Sequence, residues 1–149
     1  MPLTEVVRQS LRHRVVLVLA HNQEGKLFLQ KRAATKQLFP GRWDLSATGR
    51  VRAGESCEDA AIRELREELG LEVEQLALLG ETPGQPSTQH TFISLYSTGP
   101  LRARPRPDPL ELQGGMYVDR HELAFLAEQY RDMLTPALVY FWELDMLFP

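Results

Sequence analysis

The chain has 149 residues, of which 43% are hydrophobic, and its 17 Lys and Arg against 20 Asp and Glu give a net charge of −3. This length is typical of one domain, so we predict a single domain over residues 1–149. The slightly acidic balance argues against a nucleic-acid partner, which usually requires a basic excess. The single cysteine, Cys57, excludes an internal disulfide framework.

No stretch of the sequence approaches the ~20 consecutive apolar residues of a transmembrane helix. The longest early apolar run, residues 15–20, is short and has no small-residue cleavage signal after it. It therefore predicts a buried strand rather than a signal peptide. We expect a cytoplasmic protein with no membrane partner.

The predicted elements begin with a β-hairpin, because two β-rich runs, residues 15–20 and 26–31, flank a short polar stretch that ends in Gly25. Residues 36–46 contain the turn signal Pro40-Gly41, which predicts a loop entering a short strand.

A helix is predicted over residues 57–69. Ser56 is the expected N-cap, with Asp59 three residues later in an acidic variant of the capping box. Gly70 stands where a helix commonly ends in the left-handed conformation. An apolar face recurs with helical periodicity along the helix, formed by Ala61, Ile62, Leu65 and Leu69.

The second half of the chain predicts strands over residues 72–81 and 90–98, then an extended proline-rich loop over residues 99–109. A short strand over residues 116–118 leads to a helix capped by Asp119 and ending near Tyr130. Pro136 suits the first turn of a last helix over residues 137–147. Strands that alternate with helices predict an α/β or α+β sandwich.

Three glutamates cluster on the predicted helix. Glu64, Glu67 and Glu68 lie within roughly one-third of the helix circumference, at ~100° per residue. Like charges at this spacing repel one another and destabilise a helix, which favours a functional role. Grouped carboxylates suit a hard divalent cation, although a solvated acidic face is the alternative explanation.

The spacing around these glutamates decides between the two explanations. Gly49 is followed at fixed distances by Glu55, Arg63-Glu64, Glu67-Glu68 and Gly70, with leucines at positions 65 and 71. This pattern resembles the signature of the Nudix hydrolase family over residues 49–71. The resemblance implies an α/β/α sandwich with a mixed β-sheet between helices. It also implies hydrolysis of a diphosphate bond in a nucleoside diphosphate linked to another moiety, X, with Mg²⁺ or Mn²⁺ as cofactor.

The resemblance assigns roles to the matching residues. Glu67 and Glu68 match the principal metal ligands, and Glu64 matches a further ligand or the general base. Gly49 matches a position whose backbone carbonyl often joins the metal ligands. No nucleophilic side chain is required, because the metals can acidify a water molecule and a carboxylate can take its proton.

Further roles lie outside the glutamate cluster. Arg63 and Glu55 match a pair that supports the loop against the helix. We predict Arg50, next to Gly49, and Arg32 as substrate-binding residues. Glu111 resembles a late acidic position that can supply the base in Nudix proteins, and it can equally be a charged residue that closes the proline-rich loop.

A second resemblance covers residues 27–56, where Lys-Arg precedes F-P-G-x-W-D-x-S-x-x-G as in the branch related to isopentenyl-diphosphate isomerase. That isomerase uses a Cys just before the equivalent of Gly49 and a His just after it, where this chain has Thr48 and Arg50. Its two downstream acidic ligands are also missing, since residues 88–90 read Thr-Gln-His. These differences favour a hydrolase acting on a small-molecule diphosphate. Isomerase activity and a non-catalytic nucleotide-binding module are the alternatives.

Overall fold

The structure, a computed structural model, describes residues 14–83 and 92–149. The described parts of the chain form seven strands and three α-helices, with a 3₁₀ turn at Arg131–Met133. The strands are β1 (Arg14–Asn22), β2 (Leu27–Arg32), β3 (Trp43–Asp44), β4 (Ala47–Arg50), β5 (Ala77–Thr82), β6 (Phe92–Leu101) and β7 (Leu112–Val118). The helices are α1 (Cys57–Leu69), α2 (Arg120–Gln129) and α3 (Pro136–Glu143).

The seven strands form one mixed sheet. Strand β1 pairs parallel with β6 and antiparallel with β4, and its last residues pair with β2. Strands β3 and β7 pair antiparallel with β2, and β5 pairs antiparallel with β6. The parallel pair β1–β6 is possible because the chain between these strands is long and includes α1, as parallel strands require a long connection.

Two hydrophobic cores lie on opposite faces of the sheet. Because side chains alternate along a strand, Val16 of β1 packs in the core with Leu65 of α1, whereas Leu17 packs in the other core with Leu138 of α3. The sheet is therefore covered by helices on both faces. The predicted α/β/α sandwich with a mixed sheet is confirmed.

Helix α1 has the predicted bounds and caps. The Ser56 hydroxyl accepts a hydrogen bond from the backbone N–H of Asp59 at 3.0 Å. Gly70 adopts φ 64° and donates its N–H to the Arg66 carbonyl at 2.9 Å. This left-handed conformation costs glycine nothing and stops the helix one residue before Leu71 enters the core.

Several element bounds differ from those predicted. The short strand predicted after the loop of residues 36–46 corresponds to β4, which pairs with β1, and a further short strand, β3, lies inside that predicted loop. Residues 72–76 are not in a strand, since β5 begins at Ala77. Strand β6 continues to Leu101, into the predicted loop, because Leu101 pairs with Asn22 of β1.

The C-terminal part shows two further differences. Strand β7 begins at Leu112, earlier than predicted, because the whole segment pairs with β2. Helix α3 ends at Glu143, where we predicted a helix to residue 147. Residues 90 and 91 of a predicted strand, and the Thr-Gln-His segment at 88–90, lie outside the described residues. No helix in the described ranges is long and apolar enough to cross a membrane.

Candidate active site

Glu68 lies buried where α1 meets β2 and β4. Its Oε1 atom accepts hydrogen bonds from Gln30 Nε2 at 2.9 Å and from the backbone N–H of Thr48 at 3.0 Å. The residue is only 6% exposed. Burial raises the pKa of Glu68 to about 8, and the hydrogen bond from Thr48 opposes this rise while the nearby charge of Glu64 adds to it. Removing a carboxylate from water disfavours its ionised form, so an ionised Glu68 requires a compensating cation.

Glu64 lies one turn earlier on α1 and packs directly against Gly49 of β4. Its side chain is 15% exposed. Burial raises the pKa of Glu64, Arg63 opposes the rise, and the charges of Glu67 and Glu111 add to it. The effect of Glu111 shows that this residue, although distant in sequence, is close enough to act on the α1 carboxylates.

Arg63 is a buried guanidinium that joins α1 to the loop after β4. It donates to both Glu55 carboxylate oxygens, at 2.8 and 3.0 Å, and to the Arg50 carbonyl at 3.0 Å. Its Nη1 atom donates to Glu64 at 2.6 Å and to Glu67 at 3.3 Å. Hydrogen bonds from Arg63 lower the pKa of Glu55 to about 2. A bidentate pair of this kind is among the strong side-chain contacts, so the loop is anchored to the helix.

The remaining predicted residues occupy the rim. Glu67 is half-exposed, with Arg52 Nη2 at 4.0 Å from its carboxylate. Glu111 accepts a hydrogen bond from Lys36 at 2.8 Å, which joins the loop after β2 to the segment before β7. Arg50 has an exposed side chain next to Gly49.

Arg32, predicted to bind substrate, has two protein contacts for its guanidinium. Its Nη1 atom lies 3.5 Å from the Asp44 carboxylate, and its Nε donates to the Leu38 carbonyl at 3.1 Å. Asp44 is buried and accepts a hydrogen bond from the Thr135 hydroxyl at 2.8 Å. Burial raises the pKa of Asp44, and these hydrogen bonds oppose the rise. In this arrangement Arg32 links the loop after β2 to the core.

The carboxylate oxygens of Glu64, Glu67 and Glu68 suit a hard divalent cation by their chemistry, although they do not converge on a single position. Within residues 14–83 and 92–149, no three acidic, histidine or cysteine side chains meet as a ready-made metal cluster. Glu64 and Glu67 are turned toward Arg63, while Glu68 is held by neutral donors. Oxygen-only ligands of high negative charge are those that Mg²⁺ and Mn²⁺ prefer.

Four residues near the carboxylates were not predicted: Gln30, Lys36, Asp44 and Thr48. Gln30 had a usable signal, because a polar residue inside an apolar strand requires a buried partner. Thr48 contacts Glu68 through its backbone N–H. Lys36 contacts Glu111, and Asp44 contacts Thr135, which are both far along the chain. Sequence spacing carries no information on such contacts.

Comparison with known proteins identifies the family. The family model described as the NUDIX domain matches residues 11–137, and the chain therefore belongs to the Nudix family. A Nudix hydrolase of Deinococcus radiodurans is 36% identical over 138 residues, which cover 83% of this chain and 78% of that protein. The resemblance drawn from residues 49–71 is thus confirmed.

Two further similarities agree with this assignment. A protein of Cereibacter sphaeroides named isopentenyl-diphosphate Delta-isomerase is 31% identical over 141 residues, covering 90% of this chain and 78% of that protein. A crystal structure of a Deinococcus radiodurans protein superposes with a TM-score of 0.76 at 30% identity, covering 88% of this chain and 81% of that one. The chain spans less than half the length of some curated relatives, matching 44% of an uncharacterised Nudix hydrolase of Streptomyces coelicolor.

Proposed function

We propose that this Nudix protein hydrolyses a diphosphate bond in a nucleoside diphosphate linked to a further moiety, X, with Mg²⁺ or Mn²⁺ as cofactor. The observation that carries the proposal is the buried Glu68 carboxylate, held by two neutral donors beside Glu64. Holding such a charge out of water is costly unless a cation compensates it. The proposed metal ligands are the side chains of Glu64, Glu67 and Glu68 with the carbonyl of Gly49.

A bound divalent cation would neutralise phosphate charge and make a water molecule more acidic. The chain's own residues supply the remaining steps. Glu64 or Glu111 takes the proton of the attacking water, since both are carboxylates and the charge of Glu111 acts on Glu64. Arg50, exposed next to Gly49, binds a substrate phosphate, and Arg63 with Glu55 keeps the loop in place on α1. Arg32 is the second proposed substrate-binding residue, and its contacts with Asp44 and the Leu38 carbonyl hold its guanidinium in place.

The alternative function is isomerisation of isopentenyl diphosphate, because relatives carry that name at 31% and 34% identity. Thr48 and Arg50 argue against it. A threonine hydroxyl does not supply thiol chemistry, and a guanidinium cannot act as a neutral imidazole ligand. The similar framework is therefore proposed to serve hydrolysis.

The test is phosphate or nucleotide release from a panel of nucleoside di- and triphosphates, ADP-sugars, dinucleotides and isoprenoid diphosphates, with products identified. We expect hydrolysis that requires Mg²⁺ or Mn²⁺ and increases toward alkaline pH. Turnover that persists in excess EDTA would refute the proposal. Formation of the allylic isomer from isopentenyl diphosphate at an enzymic rate, followed by NMR, would favour the alternative.

A further inference from the structure

We propose that Gln30 is a positioning residue that orients the Glu68 carboxylate for the divalent cation, an inference that rests on the proposed function. Gln30 lies on β2, is 1% exposed, and reaches Glu68 across 38 positions of the sequence. Its amide nitrogen donates to Glu68 Oε1 at 2.9 Å and to the Ser46 carbonyl at 3.2 Å. Both hydrogens of the amide are therefore used.

The second hydrogen bond fixes which way the amide faces. If the amide were reversed, its carbonyl oxygen would face the Ser46 carbonyl and the Glu68 carboxylate, and both of these accept hydrogen bonds. An oxygen in that position would have no donor and would be repelled. Gln30 can therefore present only its N–H₂ group to Glu68, and the orientation follows from the hydrogen-bond network.

The two donors occupy one carboxylate oxygen and leave the other available. Oε1 accepts from Gln30 and from Thr48, whereas Oε2 has no hydrogen-bond partner among the described residues. No buried side-chain oxygen or nitrogen in those residues lacks a partner. Oε2 therefore retains contact with solvent and is the oxygen left available to a cation.

The neutrality of Gln30 is the second part of the argument. A lysine or arginine at this position would neutralise Glu68 and compete with a metal ion for it. The amide holds the carboxylate by hydrogen bonds and leaves its charge uncompensated, unlike Arg63, which pairs with Glu64 and Glu67. Partners that orient ligands in this way typically change metal affinity by roughly 10–100-fold when mutated.

The experiment compares Mn²⁺ binding by the substrate-free wild type, Gln30→Met and Ser46→Ala, measured by electron paramagnetic resonance of free Mn²⁺, with thermal denaturation of each. Ser46→Ala is the matched control. It removes two buried hydrogen bonds of the same region, with the Ala20 N–H and the Phe28 carbonyl, yet it keeps the Ser46 main-chain carbonyl and the Glu68 contacts. We expect Gln30→Met to weaken Mn²⁺ binding at least tenfold and Ser46→Ala to change it less than twofold.

Equal Mn²⁺ affinity in Gln30→Met and wild type, or an equal loss in both variants, would overturn the inference. If Gln30→Met does not fold, the assigned side-chain amide signals of Gln30 in the wild type provide the readout. They should shift on titration with Mg²⁺, and their constancy at saturation would refute the role. A wild type that binds no Mn²⁺ at all would refute the proposed function together with this inference, whereas intact wild-type binding isolates the role of Gln30.

Discussion

Gly49 and Glu64 pack so closely that a Cβ atom at position 49 would lie 2.1 Å from Cδ of Glu64. No real pair of carbon atoms stays at that separation without covalent bonding, so one side must move. The contact joins β4 to α1 where the signature glycine meets a signature glutamate. Position 49 requires glycine, because the Cβ atom of any other residue would occupy the place of the Glu64 carboxylate.

Gly49→Ala should therefore displace the Glu64 carboxylate and abolish most hydrolytic turnover, with only a modest loss of stability. The clash is with a flexible side chain, so relief by an unfavourable rotamer costs about 1 kcal/mol. Thermal denaturation and the hydrolysis assay measure the two effects. In a Glu64→Ala background the same substitution should cost no further stability, because the clashing atoms are gone. A Gly49→Ala variant with full activity would contradict the prediction.

Glu67→Gln and Glu68→Gln should each remove most turnover and leave the fold intact. Glu67→Gln removes one of the repelling charges on α1, and Glu67 is half-exposed, so its ion pair with Arg63 contributes little. Glu68→Gln replaces a carboxyl group whose neutral form is already favoured by burial, since its pKa is raised to about 8. Stability of the metal-free protein should be unchanged or slightly raised. Glu74→Gln, at an exposed glutamate outside α1, is the control and should retain activity. A parallel loss of activity and melting temperature would mean that the two glutamates are structural.

The metal-free protein should lose stability as pH rises from about 4.5 to about 8, because burial raises the pKa of Glu68 to about 8 from 4.5. An acid that binds its proton more tightly in the folded chain stabilises the fold when protonated, and this contribution is lost as the pH passes through the folded-state pKa. Melting temperatures in EDTA should fall across this window. The fall should be smaller in Glu68→Gln than in Glu67→Gln. Identical pH profiles in both variants would exclude Glu68 as the source.

Arg50→Ala should raise KM markedly, because Arg50 is exposed beside Gly49 and carries the predicted phosphate contact. Charge reversal at Arg102 and Arg104 should have a smaller effect, since these side chains line a separate cavity of about 770 Å³ with Tyr117. That effect should fade with added salt, as expected of screened, exposed charges. A larger loss of kcat/KM in the loop variant than in Arg50→Ala at physiological ionic strength would reverse this ranking.

Local sequence signals were sufficient for much of the fold. The caps Ser56 and Gly70 determine the ends of α1 through backbone groups within four residues, and this requires no tertiary contact. The same holds for the hairpin β1–β2 and for the Asp119 cap of α2. The bounds of the short strand after the loop of residues 36–46 could not be predicted, because residues 47–50 have no alternation of their own and form β4 by pairing with β1, about thirty positions earlier in the chain.

The sequence by itself determined the family and the angular placement of Glu64, Glu67 and Glu68 on one helix, since helical periodicity depends only on spacing. Tertiary structure decided how these carboxylates differ: Glu68 is buried and held by Gln30, Glu64 contacts Gly49 and Arg63, and Glu67 remains half-exposed. The periodicity of a helix gives the direction of each side chain but not what covers it. The strands that cover these carboxylates are distant in sequence, and the burial they cause raises the pKa of Glu68 and of Glu64.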